Sequence, residues 1–208
     1  TPENKRVVCI EDCQAAYKWV LENGPEGKTG APSSFFIAGD SAGGNLTLMT
    51  IAWARDMGLP AVNAAVALSP LTDSTFSSPS MRSNIETDHM LGPTLAPMTK
   101  MPQMLRAWIG LIMNRVKPND PRVSPIFGDL SDLPPTLVQA SEAEVLLDDS
   151  RRWVNKASDA GTDVTLETWP HVLHVWQLFG EEMPEAREAF ESIGRFLEIH
   201  GSKLDGTS

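Results

Sequence analysis

The chain has 208 residues, with 17 Lys and Arg against 27 Asp and Glu, a formal net charge of −10. That length suits one large domain, and so acidic a balance argues against nucleic acid or anionic membrane surfaces as partners. An apolar content of 41% and only 2 cysteines exclude a disordered chain and a disulfide framework.

No apolar run reaches the length of a membrane span, and residues 1–6 lack the apolar core of a signal peptide. With so few cysteines, the expected location is a reducing cytoplasm. Cys9, Cys13, Ala16, Tyr17 and Val20 fall at helical spacing, and Asn23-Gly24 ends that first helix. A Gly/Pro/Ser loop over 27–34 leads into Phe35-Phe36-Ile37-Ala38, read as a buried strand. Residues 39–44 are expected as a sharp turn, followed by a mostly apolar helix over 45–57 closed by Gly58. Residues 64–68 form the next strand, ended by Ser69-Pro70.

From about 75 to 118 the composition shifts to Met, Pro and Ser, which reads as an inserted cap or lid. It carries one amphipathic helix with Met104, Leu105, Trp108, Leu111 and Ile112 on a common face. Strand and helix then alternate again: strand 136–140, helix 147–160 and strand 164–168. Pro184 starts a last helix whose Ala186, Ala189, Phe190, Ile193, Phe196 and Leu197 share one side, and 201–208 reads as a frayed tail. Four strands, each followed by a helix, imply an α/β domain with a mostly parallel sheet and helices on both faces.

Gly39-Asp40-Ser41-Ala42-Gly43 is a G-x-S-x-G motif between a predicted strand and a predicted helix. A turn that tight strains the serine backbone, so its neighbours must be small, and it lifts the hydroxyl to the strand's C-terminal end. The following helix aims its positive end at the same place. Ser41 is therefore the candidate nucleophile, against the plain alternative of a Gly/Ser loop.

Gly39-Asp40-Ser41-Ala42-Gly43-Gly44-Asn45-Leu46 resembles the nucleophile motif of the bacterial hormone-sensitive-lipase family of α/β-hydrolase carboxylesterases. Similar to that family as well are Glu11-Asp12 to Trp19, Asn119-Asp120-Pro121 to Ser124-Pro125, and Glu144-Val145-Leu146-Leu147-Asp148-Asp149-Ser150. The likeness covers nearly the whole chain. It implies an α/β-hydrolase fold and a serine carboxylesterase acting on small-molecule esters, with no cofactor and no metal.

In this fold the order is serine, acid, histidine. Of the 4 histidines, His89 precedes the acid and His200 ends the last helix, where a cation suits the dipole. His171 and His174 follow the last strand, and His174-Val175-Trp176 matches the family's context for the base. The family's acid falls on Glu144, a departure from its commoner Asp-Pro. Asp148 is the next choice, with a helix-capping role as its plain reading, and Glu142 also competes. The Ala42 N–H is expected to help hold the oxyanion.

Other features read more plainly. Cys9 and Cys13 are expected as buried apolar thiols, and the charges over 181–191 as a solvated helix face. Met81, Met90, Met98, Met101, Met104, Met113 and Trp108 either line an acyl pocket or form lid core. The family's His-Gly-Gly-Gly-type oxyanion loop does not occur in these residues. The expectation is therefore the C-terminal two-thirds of the enzyme, its N-terminal strands lying in a separate chain or cut away, and strand 35–38 left with a bare apolar edge. A homodimer stays open. The rival readings are a non-catalytic small-molecule-binding protein on the same fold and an amidase or peptidase.

Overall fold

In the computed structural model of the chain, the described residues are 6–24, 32–102, 104, 105, 108, 111, 112 and 116–201. Strands β1 (Phe36–Asp40), β2 (Ala64–Leu68), β3 (Thr136–Ser141) and β4 (Val164–Trp169) form a 4-stranded sheet in sequential order. Every neighbouring pair is parallel. The helices are α1 (Arg6–Glu22), α2 (Ala42–Asp56), α3 (Ser80–Ser83), α4 (Gly92–Thr99), α5 (Leu147–Asp159) and α6 (Pro184–Gly201).

The pleat sorts side chains between two layers. The register sets Ile37 beside Ala65, Ala67 beside Val138 and Val138 beside Leu166, so these point to one face. There they meet Tyr17 of α1, Leu48 and Ile51 of α2, and Trp153 and Ala157 of α5 in one apolar cluster. Burying each large side chain of this kind contributes about 1.5–3 kcal/mol. The other face receives α6, whose small Ala186 and Ala189 pack with Val172 and Trp176. Polar groups lie beneath that helix. Gln139 Nε2 donates to Glu167 at 3.0 Å and to the Ala189 carbonyl at 3.1 Å, and Ser192 donates to Glu167 at 2.6 Å.

The strand and helix order agrees with the expected α/β-hydrolase arrangement, with differences that matter. β1 runs on to Asp40 and α2 starts at Ala42, so the turn expected over 39–44 shrinks to Ser41. Glycine marks turns by its backbone freedom, but Gly44 is needed for close approach: a Cβ there would sit 3.0 Å from Pro70 Cβ. Phe190, expected on the buried side of α6, is exposed. Cys9 and Cys13 are half-buried rather than buried, and Tyr17 alone of the five apolar positions read on α1 is fully buried. Burial pushes the Cys13 thiol up, helped by Cys9 and the Asp12 charge.

The β2–β3 connection holds α3 and α4. Met81 is core, packed with Val145 and Leu146, whereas Met90 and Met104 are exposed and Met98 and Met101 half-buried. Met113 and most of the tail over 201–208 lie outside the described residues. Met104, Leu105, Trp108, Leu111 and Ile112 are helical, but their side chains are exposed; periodicity defines a shared face without saying what that face meets. Among the described residues, no helix is long and apolar enough to cross a membrane.

Candidate active site

The C-terminal ends of the four parallel strands open on one edge, the usual place for ligand chemistry in such sheets. Each end supplies one part of a hydrogen-bonded cluster. β1 delivers Ser41, β2 Ser69, the loop after β3 Glu144, and the loop after β4 His174.

Ser41 has φ 52° and ψ −110°, a conformation that costs a non-glycine residue on the order of 1–3 kcal/mol. Its neighbours hold it there. Its N–H donates to the Leu68 carbonyl at 2.7 Å, and its carbonyl accepts from Asn45 N–H at 3.1 Å and Leu71 N–H at 3.3 Å. A Cβ on Gly39 would meet the Gly43 carbonyl oxygen at 2.4 Å, so only glycine fits. A Cβ on Gly43 would meet nothing closer than 3.9 Å, so the expected need for a small residue falls on Gly39 and Gly44 instead. Asn45 is fully buried and donates to the carbonyls of Leu71 (2.6 Å) and Val123 (3.2 Å), pinning the start of α2. The N–H groups of Ala42, Gly43 and Gly44 precede the first intrahelical bond, so the positive end of α2 lies beside the Ser41 hydroxyl.

His174 joins the two halves. Its Nε2 is 2.9 Å from Ser41 Oγ, and its Nδ1 is 2.5 Å from Glu144 Oε2. Val175, the next residue, has φ 52° and ψ 48°, a left-handed conformation that a β-branched side chain disfavours. Ser69 secures it: Val175 N–H donates to Ser69 Oγ at 3.3 Å, and the same hydroxyl bonds to the Glu144 carboxylate. Ser141 Oγ donates to the Val172 carbonyl at 2.6 Å, fixing the loop that carries the histidine. Glu144 is 1% exposed, and its second oxygen accepts from Ser141 N–H at 3.1 Å. Burial pushes its carboxyl up; the hydrogen bond and charge of His174, with Ser69 and Ser141, only partly offset this. A carboxylate so placed has a strong reason to face a cationic imidazole.

The other carboxylates and histidines singled out in the sequence stand apart from this cluster. Asp148 accepts from Ser80 N–H at 2.8 Å. Glu142 is exposed and accepts from Thr168 at 2.9 Å. His200 is buried against the Phe196 ring, while His89 and His171 are exposed beside a cavity of about 520 Å³ that also meets Glu86 and Glu142. A second cavity of about 500 Å³ lies between α1, α2 and residues 121–130 and does not reach Ser41. Among the described residues no group of three or more His, Cys, Asp or Glu could hold a metal.

Ser69 and Asp149 went unnoticed in the sequence. Ser69-Pro70 read only as a strand end. Asp149 stands in the sequence as one of two adjacent aspartates, yet it is fully buried and accepts from Thr72 and Asp73 N–H, each at 2.8 Å, and from the Ser78 hydroxyl. Burial pushes its carboxyl up to about 6 against those hydrogen bonds.

A parallel sheet with a strained serine at its first strand end and a histidine reaching it from the last is the α/β-hydrolase pattern. Residues 1–178 match the family model described as the alpha/beta hydrolase fold, and the chain belongs to that family, in its bacterial hormone-sensitive-lipase branch. An acetyl-hydrolase of Streptomyces hygroscopicus is 36% identical over 196 residues, 94% of this chain and 61% of that protein. An esterase of Acinetobacter venetianus is 35% identical over 196 residues, covering 94% of this chain and 60% of its own length. The crystal structure of an esterase/lipase from an uncultured bacterium superposes with a TM-score of 0.82 at 34% identity, over 97% of this chain and 63% of that one. An esterase of the bacterial hormone-sensitive lipase family gives 0.80 at 34% identity, over 96% and 62%. The chain thus spans about three-fifths of the length of these curated relatives.

Proposed function

We propose that the protein is a serine carboxylesterase acting on small or short-acyl esters. The continuous chain from Ser41 Oγ through His174 to Glu144, at 2.9 Å and 2.5 Å, carries this reading. Ser41 Oγ attacks the ester carbonyl carbon while its proton passes to His174 Nε2. The carbonyl oxygen gains the negative charge, and the Ala42 N–H at the head of α2 donates to it. Glu144 holds Nδ1–H, which fixes the tautomer and favours the imidazolium. As the tetrahedral intermediate collapses, the imidazolium gives its proton to the departing alcohol oxygen. Water then attacks the acyl-enzyme, passing a proton to Nε2, and the acid leaves as Ser41 regains its own. No step calls for a metal or a cofactor. In this reading, residues 75–118 form an insertion of the catalytic domain.

The names of the relatives, esterases and acetyl-hydrolases, support the substrate class. The test uses the full-length protein, a fluorophosphonate probe and p-nitrophenyl butyrate. Covalent labelling at Ser41 is expected, and Ser41→Ala should remove labelling and lower kcat by roughly 10⁶-fold. Unchanged labelling in that variant would end the esterase reading.

A further inference from the structure

The loop bearing Glu144 has a backbone that a short sheet cannot satisfy by itself. Residues 142–145 leave β3; the Glu142 N–H still donates to the Trp169 carbonyl of β4 at 2.9 Å, and the N–H groups of Ala143 and Glu144 turn back to Ser141. Side-chain partners for the loop's carbonyls and for the Val145 N–H come from one segment of the β2–β3 connection. Asn84 Nδ2 donates to the carbonyls of Glu142 (2.8 Å) and Glu144 (3.0 Å). Thr87 Oγ1 donates to the Ala143 carbonyl at 2.9 Å. Asp88 Oδ2 accepts from Val145 N–H at 2.9 Å. One turn earlier, Ser80 Oγ donates to the Val145 carbonyl at 2.7 Å and accepts from Asp148 N–H at 2.9 Å.

Ser80, Asn84, Thr87 and Asp88 are spaced as i, i+4, i+7 and i+8, so a helix-like path presents all four on one side. Asp88 is 3% exposed, and its other oxygen accepts from Met90 and Leu91 N–H at 3.0 and 2.8 Å, just ahead of α4. Gly92 completes the joint, since a Cβ there would lie 2.2 Å from the Ile85 carbonyl oxygen.

We propose that Asn84 and Asp88 are positioning residues for the reaction, clamping the 142–145 backbone so that the Glu144 carboxylate meets His174 Nδ1. This rests on the esterase reading above. The clamp touches neither substrate nor reacting atoms and acts through Glu144 alone. In Asp88→Asn, an amide replaces one of two carboxylate oxygens that each accept from N–H groups. One of those contacts must then face a donor, with little change in volume.

In the full-length enzyme, Asp88→Asn and Asn84→Ala should each lower kcat by up to about 10²-fold, with KM within about twofold, because misplacing a supporting group mainly weakens the transition state. The deciding measurement is the double-mutant cycle with Glu144→Gln. Once the carboxylate is gone, neither clamp variant should slow kcat further. A clamp variant that slows the Glu144→Gln enzyme as much as the wild type, or leaves wild-type kcat unchanged, overturns the proposal while the esterase reading stands. If Asp88→Asn fails to fold, the half-buried Asn84→Ala decides by the same cycle. Should Glu144→Gln itself leave kcat unchanged, the assignment of the acid falls and the clamp falls with it.

Discussion

The two ends of the hydrogen-bonded chain are built in opposite ways. Ser41 is shaped by its immediate neighbours: Gly39 and Gly44 remove side chains that would collide, and α2 begins one residue later. Glu144 is shaped at a distance, by Ser69, Asn84, Asp88 and the loop after β4. Local encoding makes a motif that a reader of one sequence can see. Distant encoding leaves ordinary-looking Ser, Asn and Asp residues whose meaning appears only when the chain has folded.

The sharpest way to test this contrast is at the proposed acid, Glu144. Glu144→Gln should reduce kcat by about 10⁴-fold, about 5 kcal/mol in the barrier, with little change in KM. Asp148→Asn should cost less than tenfold, since Asp148 bonds to Ser80 and not to His174. Steady-state kinetics on the two variants decide between them, and a reversed order would move the acid assignment to Asp148.

A smaller effect, on stability, concerns Asp149, which ties α5 to the segment after β2. Its carboxyl rises from 3.8 to about 6 in the folded state. The protonated form therefore fits the fold better than the ionised one. The stability it contributes is fully present below pH 3.8 and is lost as pH rises through about 6. A rise of that size corresponds to about 3 kcal/mol. Asp149→Asn keeps an acceptor for Thr72 and Asp73 but has no proton to lose. Urea unfolding from pH 4 to 7.5 should show the wild type losing stability relative to the variant across that window. Parallel curves would remove Asp149 from the account.

The smallest effect is expected on the locally encoded side. Gly39→Ala places a methyl 2.4 Å from the Gly43 carbonyl oxygen and 2.8 Å from Thr47 Oγ1, both on the first turns of α2. Overpacking of this kind costs about 1–3 kcal/mol, which thermal unfolding would register as a Tm lower by several degrees. Gly43→Ala, with its nearest contact at 3.9 Å, should leave Tm nearly unchanged. Equal losses at the two glycines would mean that the turn is strained by something other than the clash at Gly39.

The same division explains what could be read from the residues. β2 was legible to the residue because its apolar run is bounded by clear breaks at both ends. The turn at Ser41 was legible as a motif, but its boundaries were not: propensity places Gly43 and Gly44 outside a helix, whereas both lie in α2, with Gly44 packed close to Pro70. The apolar side of the helix containing Trp108 was legible as a stripe, and its exposure was not, because a stripe does not name its neighbour. Asn84 and Asp88 carried no signal at all. Their partners in the Glu144 loop are 57 to 60 residues away in sequence, and a polar residue in a Ser-rich stretch looks like solvent-facing loop until that loop is laid against it.

That last arrangement bears on how such a protein can be rebuilt. A designer who exchanges the β2–β3 connection for that of a relative, hoping to alter substrate choice under the proposed esterase reading, would also exchange Ser80, Asn84, Thr87 and Asp88. The incoming segment would meet an acid loop that evolved against different partners. The natural cut points for a chimera therefore lie after Asp88, or else residues 80–88 and 142–148 must travel together as one cassette.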